Sequence, residues 1–130
     1  MFDPYELFIT TKAGCIEVRN KAGQLHNTCG PAIIDTDGSH IWYYFGKLHR
    51  EDGPAIIDTG GFQAWFVHGK LDRRDGPAVI WSDGREYWYR YGKLHRVDGP
   101  AVINQDGTKK WYINGVQMDP IEHFIKRRDR

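Results

Sequence analysis

Residues 46–55 read Gly-Lys-Leu-His-Arg-Glu-Asp-Gly-Pro-Ala. Nearly the same ten residues return at 69–78 as Gly-Lys-Leu-Asp-Arg-Arg-Asp-Gly-Pro-Ala and at 92–101 as Gly-Lys-Leu-His-Arg-Val-Asp-Gly-Pro-Ala. A looser copy, Gly-Gln-Leu-His-Asn-Thr-Cys-Gly-Pro-Ala, fills 23–32, so the step is 23 residues each time. Histidine and charge beside a Gly-Pro turn suggest a site, but an enzyme does not need its site several times in 130 residues. The string is therefore read first as architecture. The period runs on through Trp42, Trp65, Trp88 and Trp111, through the aromatic that follows each, and through Ala32, Ala55, Ala78 and Ala101. A fixed period in this range marks a repeat array.

Each unit holds two strand-like runs, one opening Pro-Ala and one centred on the Trp-aromatic pair. Between them stand Asp37-Gly38, Gly60-Gly61, Asp83-Gly84 or Asp106-Gly107, dipeptides suited to a two-residue hairpin turn. Counting outward from such a turn sets Ile33 against Trp42, Ile56 against Trp65, Val79 against Trp88 and Val102 against Trp111. On that register the Trp column shares a face with the β-branched column and Arg90, and the opposite face carries the Ala, Ile and Tyr/Phe columns. The repeated string becomes a connector between hairpins, with Pro at a strand start. The predicted fold is all-β, stacked antiparallel hairpins in one extended twisted sheet, as a single domain over 1–130. A capping hairpin is expected over 5–22, repeats over 23–118 and a helix over 119–129. Asp119, Pro120 and Glu122 supply the helix start, and Ile121, Phe124 and Ile125 are expected to cover the sheet end.

The composition narrows the class. Aromatics are 14% and hydrophobics 40%, which argues against disorder. A formal charge of +1 gives little affinity for phosphate backbones and so argues against nucleic acid. Cys15 and Cys29 are too few for a disulfide scaffold. No apolar run is long enough for a membrane span or a signal peptide, and a cytoplasmic protein with free thiols is expected.

The string aromatic-x-x-Gly-Lys-x-His, followed by Asp-Gly on a 23-residue period, resembles the MORN repeat, in the bacterial and phage variant that Tyr112-Ile113-Asn114-Gly115 fits best. The resemblance covers about residues 23–118. It departs in the connector, where the family's His-Gly-x-Gly is replaced by His-Arg-x-Asp-Gly-Pro-Ala. The resemblance implies stacked hairpins used for binding, as scaffolds, lipid or protein contacts and antitoxin-like partners, and not for catalysis.

His26, His49 and His95 share one repeat position, which Asp72 holds in the remaining copy. Units two strands apart lie ~10 Å from one another, too far for one column to share a zinc ion, so a connector hydrogen bond is expected and no metal. Arg50, Arg73 and Arg96 with Asp52, Asp75 and Asp98 read as a charge-laced ridge. No nucleophile, phosphate loop or cofactor motif appears, and no catalytic residue is assigned.

Residues that break the period are freer to serve function. The third unit breaks it most, with Trp81, Arg85, Tyr87, Arg90 and Tyr91 around Tyr89. Tyr43, Phe66 and Tyr112 continue the Tyr89 column. Trp, Tyr and Arg are the types enriched where interfaces concentrate their energy. These nine residues form the candidate partner-binding set. The leading expectation is a non-enzymatic protein-binding module, a small inhibitor or antitoxin-like protein of phage anti-defence type. A binder of a nucleotide messenger and a self-associating scaffold stay open beside it.

Overall fold

The computed structural model describes residues 6–128. An opening hairpin joins β1 (Phe8–Lys12) to β2 (Cys15–Arg19) through Ala13-Gly14. The first unit supplies β3 (Ile33–Ile34), β4 (His40–Ile41), β5 (Tyr43–Tyr44) and β6 (Lys47–Leu48). The second supplies β7 (Ile56–Ile57), β8 (Gln63–Ala64), β9 (Phe66–Val67) and β10 (Lys70–Leu71). The third supplies β11 (Val79–Ile80), β12 (Glu86–Tyr87), β13 (Tyr89–Arg90) and β14 (Lys93–Leu94). The last holds β15 (Val102–Ile103), β16 (Lys109–Ile113) and β17 (Val116–Met118), followed by helix α1 (Pro120–Arg128). Residues 5 and 129, expected in the cap and the helix, lie outside the described residues.

The stacked-hairpin sheet is as expected, an open antiparallel array of 11 strands in the order β1-β2-β3-β4-β7-β8-β11-β12-β15-β16-β17. What differs is the content of a unit. Each folds two hairpins, not one. The second is a tight ladder beside the sheet, β5–β6, β9–β10 or β13–β14, with β16–β17 as its counterpart at the end. The chain read as a plain connector is thus half of a hairpin, and its leucines pair with the aromatic column, Tyr43 with Leu48, Phe66 with Leu71 and Tyr89 with Leu94.

The register in the long sheet is one residue off the expected one. Ile33 pairs with Ile41, Ile56 with Ala64, Val79 with Tyr87 and Val102 with Lys110, and none faces a tryptophan. The cause is the turn. Asp35 N–H donates to Ser39 O and Gly38 N–H to Asp35 O, so Thr36, Asp37 and Gly38 make a three-residue loop with Gly38 at φ 92°. This is a type I turn closed by a glycine bulge. The Asp37 carboxylate accepts the Ser39 N–H, which holds its pKa below the usual range. Because side chains alternate, one residue of slip exchanges faces. The β-branched column joins the side of the aromatic column, and the tryptophans leave on the other.

Two-residue primed turns do occur, in the second hairpins. Phe45-Gly46, His68-Gly69, Tyr91-Gly92 and Asn114-Gly115 all have both residues at positive φ. The core is thin. Ala32, Ala55, Ala78 and Ala101 are fully buried, and each of the last three gives its carbonyl to the N–H of Trp42, Trp65 or Trp88 of the preceding unit.

Helix α1 begins as expected, with the Glu122 N–H donating to Asp119 Oδ1 at 2.8 Å. Its packing is not as expected. Ile121, Phe124 and Ile125 are 73%, 48% and 53% exposed, and the buried residue is His123, whose Nε2 lies 2.5 Å from the Arg96 carbonyl. The end of the array presents a backbone carbonyl that must be satisfied, and a polar side chain closes it where apolar ones cannot.

Candidate interaction surfaces

Each connector arginine is held on several sides. The guanidinium carbons of Arg50, Arg73 and Arg96 lie 3.9, 3.9 and 3.8 Å from the ring centres of Trp42, Trp65 and Trp88. Their Nη1 groups donate to the carbonyls of Pro54, Pro77 and Pro100. Asp52, Asp75 and Asp98 pair with the Nε atoms at 2.8, 3.6 and 3.0 Å. The Arg50 hydrogen bond and charge hold the Asp52 carboxyl below its usual range. A Cβ at Gly76 would sit 2.6 Å from the Arg73 guanidinium carbon, so only glycine admits the arginine there. Such cation–π stacking contributes about 0.5–1 kcal/mol at exposed sites and more when desolvated.

The histidine column makes the connector hydrogen bond. Nδ1 of His26, His49 and His95 accepts the N–H of Phe45, His68 and Asn114, the first turn residue of the next unit. The neighbouring glycine N–H donates to the carbonyl of Leu25, Leu48, Leu71 or Leu94. His26 is wholly buried against the rings of Tyr44 and Phe45, at 4.8 and 4.2 Å, and burial pushes its pKa down. Asp72 departs from the column for a visible reason. Its carboxylate accepts from Arg90 Nη1 at 2.5 Å, and both side chains are mostly buried. Arg90 stands where the other units carry Tyr44, Val67 and Ile113, the residues beside the column histidines, so two breaks of the period are one ion pair.

The candidate partner-binding residues fall into three groups. Trp81, Arg85 and Tyr87 are together at the loop end of the third unit. The Tyr87 ring meets Trp81 at 4.8 Å, edge on, and the Arg85 guanidinium carbon lies 4.4 Å over Trp81 while its Nε reaches Asp83 at 2.9 Å. Tyr87 donates its hydroxyl to Asn104 Oδ1 at 3.0 Å. Phe62, which the sequence did not single out, meets Trp81 at 5.8 Å. Tyr43, Phe66, Tyr89 and Tyr112 form the half-buried aromatic column of the second ladders. Burial raises the Tyr89 phenol pKa, and the Tyr87 and Tyr112 phenols add to this. Arg90 and Tyr91 stand apart on the second hairpin, with the guanidinium carbon 4.7 Å from the ring centre. Tyr91 is 67% exposed, and Arg90 is committed to Asp72.

A further surface escaped sequence reading altogether. Between successive connectors the tryptophan side of the array forms open clefts of about 820 and 560 Å³. They are the same place two units apart, since Asn27, Trp42, Tyr44 and His49 in the first correspond to Arg73, Trp88, Arg90 and His95 in the second. Their charges differ. The first sets Arg50 against Glu51 and Asp52, and the second sets Arg73, Arg74, Arg90 and Arg96 against Asp75 and Asp98.

Among the described residues no helix is long and apolar enough to cross a membrane. Comparison of the chain with family models, curated proteins and solved structures gives no match.

Proposed function

We propose that the chain is a non-enzymatic, MORN-like protein-binding module, a small inhibitor or antitoxin-like protein that covers a surface on a bacterial protein. The observation that carries this reading is the aromatic track Phe62–Trp81–Tyr87, which runs from the second unit into the third, with Arg85 stacked on it. Rings of this kind, half-buried and already held by neighbours, bring large contact area at low entropic cost. The repeat supports the reading from a second side. Other units put Asp35, Asp58 and Asn104 where Trp81 stands, so the fold does not demand tryptophan there. The inhibitor role and the phage anti-defence setting are supported by the repeat resemblance alone.

The test restores the period. Trp81→Asp, Arg85→Ser and Tyr87→Ile give the third unit residues that the first unit already carries. Wild type and triple variant, both shown folded by circular dichroism, are used to capture partners from bacterial lysate. A stoichiometric protein held by the wild type and lost with the variant supports the track as the interface. The same protein held equally by both removes the track from the reading, and no capture by either counts against a bacterial target.

A further inference from the structure

The cleft between the connectors at 69–78 and 92–101 gathers Arg73, Arg74, Arg90 and Arg96 against Asp75 and Asp98, an excess of positive charge in its lining. Arg73 is locked on Trp65 and Pro77, and Arg96 on Trp88 and Pro100. Arg90 is held by Asp72 through Nη1, and its fork carries further donors. Arg74 lies exposed at the rim. The indole N–H of Trp88 is buried without a partner among the described residues. Guanidinium forks match carboxylates, and forks already immobilised lose little entropy on binding.

We propose that this cleft binds an acidic, extended segment of a protein partner, with carboxylates three residues apart and apolar residues between them. The spacing argues for a chain and against a single small anion. Arg73 and Arg96 are one unit apart, or two strand spacings, ~10 Å. One oxyanion cannot reach both, whereas side chains at i and i+3 of a polyproline II segment, with three residues per turn, lie on one side of it ~9 Å apart. Trp88 and Val97 supply apolar lining between the charges. Asp75 and Asp98 also line the cleft, 90% and 76% exposed and already facing Arg73 and Arg96, so the segment must displace water and not a buried carboxylate. The equivalent cleft near the N-terminus has Asn27 and Thr28 for Arg73 and Arg74, Tyr44 for Arg90 and Glu51 for Val97. It would repel the same segment, which sets the partner away from the N-terminal end of an otherwise periodic surface. The proposal rests on the reading of the chain as a protein-binding module but uses a surface distinct from the aromatic track.

The test uses a synthetic heptapeptide with glutamate at its first, fourth and seventh positions and leucine or alanine between, followed by two-dimensional NMR of the arginine Nε–H and tryptophan indole signals at fixed ionic strength. Shifts at Arg73, Arg90, Arg96 and Trp88 are expected, and none at Trp42. Asp72→His with Arg90→Tyr reproduces the His26–Tyr44 arrangement of the first unit and should weaken binding about tenfold, the effect of losing one charge-assisted contact. Arg74→Thr, an exposed change that leaves the fold alone, should weaken it severalfold. Peptide binding unchanged in both variants overturns the proposal, as does the absence of shifts in the wild type. An equal response to inorganic phosphate, or to a peptide with adjacent glutamates, also overturns it, because a lone oxyanion would then suffice. The triple variant of the aromatic track should bind the peptide normally, so failure of either reading is seen separately.

Discussion

Among the described residues His26 is the largest side chain wholly out of solvent, and its chemistry is decided by one proton. Nδ1 accepts the Phe45 N–H, which leaves the proton of the neutral ring on Nε2, an atom with no partner among the described residues. Charging the ring would put a second proton where the Phe45 N–H already points. The folded pKa accordingly lies below the ordinary value, through burial. In the unfolded chain the ring takes its proton near pH ~6.5, so its contribution to stability is complete above that pH. As pH falls further the unfolded state binds a proton that the folded state refuses, and the contribution is lost by the time pH passes the folded value. Melting temperatures measured from pH 8 to 5 should therefore fall on the acid side, and His26→Asn, which keeps an acceptor without a proton to gain, should flatten that part of the curve. The sequence showed that His26, His49 and His95 share a position and that Asp72 does not. It did not show that Asp72 answers Arg90, because that pairing runs between units and depends on a hairpin hidden inside the repeated string.

At the scale of single elements, turn chemistry explains what the sequence revealed and what it concealed. Asp-Gly was read as a two-residue turn, yet a type I turn with a glycine bulge uses the same letters with one more residue, and the register moved with it. The true primed turns were visible only in Asn114-Gly115. In the other units an aromatic or histidine occupies the left-handed position, φ 48° at Phe45, 49° at His68 and 50° at Tyr91, where the backbone strain is about 1–2 kcal/mol. Phe45 and His68 recover part of this by packing on His26 and His49, at 4.2 and 4.4 Å. Tyr91 has no histidine beneath it and is more exposed than Phe45, 67% against 41%. Tyr91→Asn should stabilise the protein by about 1 kcal/mol, a rise of roughly 3–5 °C in melting temperature, whereas Phe45→Asn should gain less because it uncovers His26. The start of helix α1 was legible from Asp119 and Pro120, but its buried face was not. Apolar spacing suggested Ile121, Phe124 and Ile125, and the sheet end asked for a hydrogen-bond donor.

The whole molecule is a one-dimensional array in which each unit touches its neighbours, so its stability is close to a sum of unit and interface contributions. Removing one period should leave a folded protein if the new junction pairs correctly. Deleting residues 27–49 places His26 before Arg50, where it inherits the His68 N–H and Val67 from His49. Deleting residues 50–72 also removes one unit but strips Arg90 of Asp72 and sets His49 beside it. The first protein should melt cooperatively at a modestly reduced temperature. The second should be less stable than the first by about 1–3 kcal/mol, the cost of leaving a buried polar group unpaired. Thermal unfolding followed by circular dichroism separates the two, and equal stabilities would show that the Asp72–Arg90 pair contributes nothing.

The array plan could be read from the period, because every unit repeats the same glycines, alanines and aromatics. The charged cleft could not, since Arg73, Arg74, Arg90 and Arg96 meet only after the second hairpin folds. Each connector also carries both acceptors for the turn of the unit after it, a leucine carbonyl and, in most copies, a histidine nitrogen. On a ribosome the amino end appears first, so every new unit emerges next to a finished template about 20 residues upstream, and the chain can be laid down in the order it is made without waiting for its far end.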